Sequence, residues 1–292
     1  MAYLPLDYRD AAAVSRAAGG VSIHNRAPPF GSPHVYKHLT LDERDDILVA
    51  RMNRPRSRNA LSLALMQELT DIASGCEARD AIRAVVLAGG ADHFSAGADL
   101  KDPDRWDAAS KPLGEQRRIA NAGYRMCAAW EAIPQVTIAA IEGYAIGGGI
   151  ALALACDFRV LADNAFVSFP EISLGMPLTW GTIHRLVQLA GPAQAKRLAI
   201  LCERLPAAES RAAGIGDYVA PAGGAEARAH EIARAAAAMP QAAVRLTKET
   251  ANAAANALLH LGSHMEAEQF AFLNASEEGR VARARFAQRT KP

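Results

Sequence analysis

The stretch VTIAAIEGYAIGGGIALALACDFRVL, residues 136–161, contains the pattern of a strand, a turn, a helix and a second strand in succession. Val136–Ile141 is a short apolar run, as in strands that are covered on both faces of a sheet. Gly147-Gly148-Gly149 predicts a turn, and residues 150–155 predict a buried helix. Residues 157–161 predict the next strand. This order is the unit from which α/β folds with parallel strands are built.

Further strands and helices are indicated on either side of this stretch. Residues 46–52 predict a strand that ends at Asn53-Arg54-Pro55, because proline cannot continue a ladder of backbone hydrogen bonds. Residues 84–88 predict a short, wholly apolar strand, which a polar loop (94–112) and a helix (117–132) follow. Ser62 is suited to cap a helix whose apolar residues fall on one face, namely Leu65, Met66, Leu69, Ile72 and Ala73. The repeated strand–turn–helix order predicts the α/β fold class.

The chain divides into three predicted regions. Residues 1–35 contain several prolines and no sustained periodicity, so they are predicted to form an N-terminal arm. Residues 36–222 carry the α/β pattern. Residues 223–292 are rich in alanine and are predicted to be helical, with interruptions at Pro240 and Gly262. Such a helical region can pack on its own core or on a neighbouring subunit.

The composition argues against several classes of protein. The chain has 292 residues, of which 50% are hydrophobic and 22% charged, so it can bury a large core. Thirty-two basic and 31 acidic side chains give a net charge of +1, which disfavours nucleic-acid binding through a general basic field. The longest apolar stretch, 145–156, is too short to span a bilayer. With no secretory signal pattern and no paired cysteine spacing, a cytoplasmic protein without a metal site or membrane association is expected.

Two glycine-containing turns follow buried strands, one at residues 94–100 and one at 143–149. Small residues allow a ligand to approach the main chain closely. Two N–H groups from different turns that meet at one point would form an oxyanion hole. The alternative is that the glycines only let helices pack against strands. No phosphate-loop lysine, dinucleotide spacing or Gly-x-Ser-x-Gly motif accompanies them.

These turns and their neighbours resemble the crotonase, or enoyl-CoA hydratase/isomerase, superfamily. The similarity covers about residues 38–290 and rests on ordered motifs: NRP at 53–55 with NAL at 59–61, SAGADLK at 95–101, IEGYAIGGG at 141–149, ACD at 155–157 and FPEISLG at 169–175. The resemblance implies a spiral of ββα repeats followed by a C-terminal helical region used in trimerisation. It also implies an acyl-CoA thioester substrate and a homo-oligomer, either a trimer or a dimer of trimers.

The resemblance also implies roles for particular residues. The backbone N–H groups of Ala98 and Gly148 would hold the thioester oxygen, and Glu171 matches the second of two catalytic glutamates. Contacts to coenzyme A would come from Ala96, Asp99, Leu100, Lys101, Phe286 and Arg289, with Lys101 near a phosphate. Coenzyme A is part of the substrate, so no separate cofactor is expected.

The sequence departs from the family pattern at the first catalytic glutamate, where Ala151 stands. A methyl group cannot transfer a proton, so one carboxylate, Glu171, remains to move a proton between two carbons, which is enoyl-CoA double-bond isomerisation. Two alternatives stay open. One is a hydratase or acyl-CoA hydrolase whose displaced second acid is Asp102, Asp104, Asp107 or Glu115. The other is an acyl-CoA-binding protein without turnover.

Three further residues near these motifs have both a functional and a structural interpretation. Trp180 follows Pro177 where many hydratases have a run of Gly and Ala, and it would either narrow the acyl pocket or belong to the core. His93 and His184 are candidate acids or bases, but neither falls on a catalytic position of the family. Both histidines are therefore predicted to be structural.

Overall fold

The computed structural model describes residues 36–106, 110–259, 263 and 265–289, without the side chains of 286–289. A six-stranded sheet with the order β1-β2-β3-β4-β6-β9 forms the centre. Its strands are β1 Leu39–Arg44, β2 Ile47–Met52, β3 Ala84–Ala88, β4 Val136–Ile141, β6 Phe158–Ala162 and β9 Tyr218–Ala220. The β1–β2 pair is antiparallel and the remaining pairs are parallel. The predicted α/β class is therefore confirmed.

A smaller sheet carries the chain beyond the main sheet. It has the order β5-β7-β8, with β5 Tyr144–Ile146 parallel to β7 Phe166–Ser168 and β8 Arg204–Pro206 antiparallel to β7. Strand β3 is wholly apolar and β4 is apolar except for Thr137, and both are buried along their entire length. In the main sheet, β3 and β4 end shortly before the two glycine turns, and β5 of the smaller sheet lies within the second turn.

Helices cover the main sheet and extend beyond it. In chain order they are α1 Leu63–Gly75, α2 Pro103–Trp106, α3 Leu113–Ala120, α4 Ala122–Glu131, α5 Gly148–Leu154, α6 Thr182–Leu201, α7 Ala207–Ala212, α8 Ala225–Ala237, α9 Gln241–Ala255, α10 Glu266–Ala275 and α11 Glu277–Arg289. Helix α1 confirms its predicted cap, since Ser62 Oγ accepts a hydrogen bond from Leu65 N at 3.3 Å. Helix α6 is interrupted at Gly191, which precedes Pro192.

Two sequence predictions need correction in the segment that precedes β4. The single helix predicted for residues 117–132 is two helices, α3 and α4, because Asn121 has φ −88° and ψ 0° and breaks the helical path. The predicted polar loop also contains the short helix α2. Neither glycine nor proline occupies the junction at Asn121, so local sequence gives no signal for that break, whereas Pro103 at the first position of α2 is a common helix start.

The C-terminal region begins with a helix that belongs to the core. Helix α8 places four alanines at four-residue spacing against the main sheet, Ala225, Ala229, Ala233 and Ala237, and all four are buried. Pro240 separates α8 from α9 as predicted. Gly262 and the N-terminal arm lie outside the described residues. In the described part of the chain, no helix is both long and apolar enough to cross a membrane.

Candidate active site

The two glycine turns lie side by side because the first turn runs along β5. Ser95 O accepts a hydrogen bond from Ile146 N at 3.0 Å, and Tyr144 O accepts one from Phe94 N at 2.9 Å. This pairing brings Gly97 against the second turn, where a Cβ on Gly97 would lie 3.3 Å from Gly148 N. Gly97 has φ +88°, a conformation that favours glycine.

The N–H groups of Ala98 and Gly148 remain available to a ligand. Leu61 bonds to the residues on either side of Ala98, since Leu61 N donates to Gly97 O at 2.7 Å and Asp99 N donates to Leu61 O at 3.0 Å. Gly148 opens helix α5, so its N–H has no acceptor within that helix. Neither N–H has an acceptor among the described residues. Both residues line one pocket, as the two donors of an oxyanion hole would.

Glu171 lines the same pocket at the start of a short helical turn, Glu171–Leu174, that follows β7. Its Oε1 lies beside Gly147, where a Cβ would be only 2.5 Å away. Its Oε2 is buried and has no partner in the described part of the chain. Burial raises the pKa of Glu171 to about 7 and outweighs a hydrogen bond from its own main chain. A carboxyl group with a pKa near neutrality is suited to accept and return a proton.

Ala151 lies on the wall of this pocket and is only 2% exposed. Three of the four acids proposed as replacements for a glutamate here lie elsewhere. Asp102 uses both carboxylate oxygens on the main-chain N–H groups of Leu63 and Asp104, at 2.7 and 3.1 Å. Asp104 and Glu115 line a separate groove. Asp107 lies outside the described residues.

Trp180 both belongs to the core and narrows the pocket, so its two predicted interpretations hold together. It is 4% exposed, and its ring lies against two glycines, where a Cβ on Gly148 would be 2.2 Å and one on Gly123 1.9 Å from ring atoms. The space that the pocket leaves is small, about 40 Å³. Trp180 has φ +66°, which is uncommon for a bulky residue and indicates that its surroundings hold it in place.

Two charged side chains hold the turn that carries Trp180. Arg185 donates to Trp180 O at 2.8 Å and pairs through two contacts with Glu131, at 3.0 and 3.1 Å. Glu266, from helix α10, accepts a hydrogen bond from Gly181 N at 2.9 Å. Burial raises the pKa of Glu266 and outweighs this hydrogen bond. A helix more than 80 positions further along the chain thus shapes the pocket.

The residues predicted to contact coenzyme A are only partly on this wall. Leu100 lines the pocket and is 43% exposed, and Lys101 is exposed beside it. Asp99 pairs with Arg54 at 3.0 Å. Ala96 N donates to Arg58 O at 3.0 Å, so both Ala96 and Asp99 anchor the loop. Phe286 and Arg289 belong to α11, but their side chains lie outside the described residues.

The two candidate histidines do not line the pocket. The His93 ring lies 6.1 Å from the Tyr144 ring, and His184 contacts Gln188 on helix α6. Sequence reasoning missed several residues that do line it, among them Arg105, Trp106, Met176, Thr179 and Phe270. The sequence predicts a polar loop where Arg105 and Trp106 lie, and Phe270 comes from the distant helix α10. Local patterns carry no signal for such contacts.

Comparison with known proteins identifies the family of this chain. A family model described as enoyl-CoA hydratase/isomerase matches residues 42–292. A crotonyl-CoA hydratase of Syntrophomonas wolfei is 29% identical over 257 residues, which cover 88% of this chain and 97% of that protein. A probable enoyl-CoA hydratase of Rhizobium meliloti is 31% identical over 260 residues, with coverage of 88% and 97%. A crystal structure of an enoyl-CoA hydratase from Mycobacterium avium subsp. paratuberculosis superposes with TM-score 0.77 at 27% identity and covers 87% of this chain and 97% of its own.

The match spans the two glycine turns, Glu171 and the helical C-terminal region, and the solved relatives share the fold. The chain therefore belongs to the enoyl-CoA hydratase/isomerase family of the crotonase superfamily and is an acyl-CoA enzyme with the crotonase fold.

Proposed function

We propose that this enzyme moves the double bond of an enoyl-CoA, with Glu171 as its one proton carrier. The observation that carries the proposal is the pair formed by Ala151 and Glu171. Both lie on the pocket wall, and Glu171 is the one carboxylate among the described residues that line this pocket. A reaction that takes a proton from one carbon and returns it to another needs one such group.

The proposed reaction begins with a thioester whose double bond lies between the β and γ carbons. The carboxylate of Glu171 takes a proton from the α carbon, and the electron pair moves into the carbonyl to give a dienolate. The N–H groups of Ala98 and Gly148 would stabilise the negative oxygen, since donors fixed in advance act where charge develops. Glu171 then returns the proton to the γ carbon, which leaves an α,β-enoyl-CoA.

This reaction consumes no water and needs no cofactor besides the coenzyme A of the substrate. Its protonation states agree with the pKa of Glu171, which is raised to about 7. Near neutral pH a substantial fraction of the enzyme holds the carboxylate, and the protonated form remains a competent acid for the second step.

Hydration is the second candidate, and the names of the relatives favour it. Hydration needs a second group to activate water. Asp102, Asp104 and Glu115 lie off the pocket wall, so this candidate depends on Asp107 or on Glu171 alone. A third candidate, acyl-CoA binding without turnover, gives no reason for the burial of Glu171 beside the two donors.

One experiment separates the three candidates. The enzyme is incubated with short β,γ- and α,β-enoyl-CoAs in water labelled with deuterium and heavy oxygen, and the products are analysed by mass spectrometry. Isomerisation gives a migrated double bond and no labelled oxygen. Hydration incorporates labelled oxygen, and binding without turnover leaves the substrate and its α-protons unchanged.

The homo-oligomer implied by the family remains a further proposal. Large apolar side chains stand exposed on the C-terminal helices, including Leu246 at 64% and Phe272 at 78%. Exposed apolar residues of this size in a helical annex are typical of subunit contacts. Sedimentation equilibrium distinguishes a trimer or a dimer of trimers from the monomer that would contradict this proposal.

A further inference from the structure

Arg105 is a partly buried cation that lines the pocket and forms no ion pair with any acid in the described part of the chain. Its guanidinium carbon lies 5.4 Å from the centre of the Trp106 ring and 5.4 Å from that of Trp180. Its polar side-chain contact is a weak one, from Nη1 to Met66 Sδ at 3.8 Å. Burial lowers the pKa of Arg105 to about 10, which still leaves it charged at neutral pH.

The two nearest acids are already engaged by other groups. Asp102 accepts two main-chain N–H groups, and Asp99 pairs with Arg54 and accepts a hydrogen bond from Lys101 N. Neither lies within ion-pair distance of Arg105. The two fully buried arginines differ, since Arg159 pairs with Asp217 at 2.7 Å and Arg185 pairs with Glu131 at 3.0 Å. A partly desolvated cation without an ion pair loses hydration that a ligand carboxylate can replace, so such a ligand gains affinity.

The position of Arg105 identifies the part of the substrate that it would meet. It shares the pocket with Gly148, Ala98 and Glu171, where the reacting end of the thioester belongs. The phosphates of coenzyme A belong outside, toward exposed Lys101. The negative group that Arg105 faces would therefore be carried by the acyl chain.

We infer that this enzyme prefers an acyl-CoA whose short acyl chain ends in a carboxylate, and that Arg105 binds this carboxylate. This inference rests on the proposed function, because it takes the pocket as the acyl site. The planar guanidinium matches a carboxylate through two parallel hydrogen bonds. The Trp106 and Trp180 rings flank the guanidinium, and the narrow space limits the chain length.

The geometry also separates Arg105 from the base. No ion pair joins Arg105 to Glu171, and Glu171 Oε2 has no partner among the described residues. Arg105 therefore does not hold Glu171 in its charged form, and its role is specificity rather than proton transfer.

The test compares the binding of saturated thioesters that differ only in the terminal group. Succinyl-CoA is paired with butyryl-CoA and glutaryl-CoA with pentanoyl-CoA, and calorimetry measures each Kd for the wild type, Arg105→Met and Arg105→Lys. A control variant, Arg56→Met, removes an exposed arginine outside the pocket. Saturated thioesters cannot undergo double-bond migration, so binding is measured apart from turnover.

The wild type is expected to bind at least one acid-terminated ester more tightly than its methyl-terminated counterpart. Arg105→Met should raise the Kd of that acid-terminated ester by about 100-fold, the size of a charge-assisted hydrogen bond pair. It should raise the Kd of the methyl-terminated ester by less than about threefold. Arg105→Lys should restore part of the preference. Two results would overturn the inference. In one, the wild type binds both methyl-terminated esters as tightly as their acid-terminated counterparts, or more tightly. In the other, Arg105→Met loses the same affinity for both members of a pair.

Turnover keeps the two proposals apart. If the wild type isomerises a neutral pentenoyl-CoA but shows no carboxylate preference in binding, the assignment of Arg105 fails and the proposed function stands. If the carboxylate preference depends on Arg105 but no α-proton exchanges from either class of ester, the proposed function fails and the binding site stands.

Discussion

The carboxylate of Glu171 occupies space that Gly147 leaves open. A Cβ at position 147 would lie 2.5 Å from Glu171 Oε1, closer than real Cβ contacts approach. Gly147 also has φ +52° and ψ −119°, which a residue with a side chain rarely adopts. One residue thus sets the position of the base, and its neighbour Gly148 supplies an N–H donor to the same pocket.

Gly147→Ala is expected to reduce both activity and stability. The strained backbone should cost about 1–3 kcal/mol in the free energy of unfolding. The displaced carboxylate should lower kcat by at least about 10²-fold, within the range of a general base. The matched control is Gly223→Ala, which has φ +78° and no atom within 4 Å of the added Cβ. Gly223→Ala should lose stability and keep full activity, and equal activity losses in the two variants would contradict this account.

The activity should depend on pH through Glu171. Because its pKa is about 7, kcat/KM for α-proton removal should fall about tenfold per pH unit below 7 and level off above it. Glu171→Gln should lose about 10²–10⁴-fold in rate and lack this pH dependence. Glu77→Gln, at an exposed position, is the control. A wild-type rate that is constant from pH 5 to about pH 8 would exclude Glu171 as the base.

Stability should show the opposite trend with pH. An unfolded glutamate releases its proton near about pH 4.3, whereas the folded Glu171 holds it to about 7. Between these values the folded protein binds more protons, so the free energy of unfolding falls as pH rises. Glu171→Gln stays neutral at both pH values. The free energy of unfolding of this variant minus that of the wild type should therefore be larger at pH 9 than at pH 5. Denaturant titrations at the two pH values check this difference, and equal differences would contradict burial of the charge.

Trp180→Gly should change the acyl chain length that the enzyme accepts. Glycine suits φ +66°, and the lost ring leaves space on the pocket wall. Each additional methylene of the substrate that this space accepts should improve kcat/KM by about fourfold relative to wild type. A series of enoyl-CoAs of increasing length measures the effect. Trp180→Phe should retain most of the wild-type preference, and an unchanged preference in Trp180→Gly would show that the ring lies off the acyl path.

Ala151→Glu restores a second carboxylate at the position where the family usually has one. Because Ala151 lies on the pocket wall, the new group should activate water and raise the rate of α,β-enoyl-CoA hydration by roughly tenfold or more, part of what a placed acid–base group supplies. Ala151→Gln adds the same bulk without a carboxylate and should not hydrate. Equal hydration by the two variants would contradict the role given to Ala151.

The sequence predicted most of the core and part of the site. Apolar runs such as β3 and β4 mark buried strands, and the glycine motifs with Glu171 mark the pocket wall. Two kinds of feature were missed. The break at Asn121 has no glycine or proline at the junction to mark it. Arg105 contacts the ring of Trp180, and Glu266 holds the turn that carries Trp180. Such long-range contacts leave no periodic pattern in the sequence.

The most direct test of the central claim measures whether oxygen from water enters the product during turnover. The wild-type enzyme is incubated with a short β,γ-enoyl-CoA in water that contains heavy oxygen, and the acyl product is weighed by mass spectrometry. An α,β-enoyl-CoA without heavy oxygen is the predicted product, formed in wild type and lost in Glu171→Gln. A hydroxyacyl-CoA that carries heavy oxygen as the first product would contradict proton transfer by a single base.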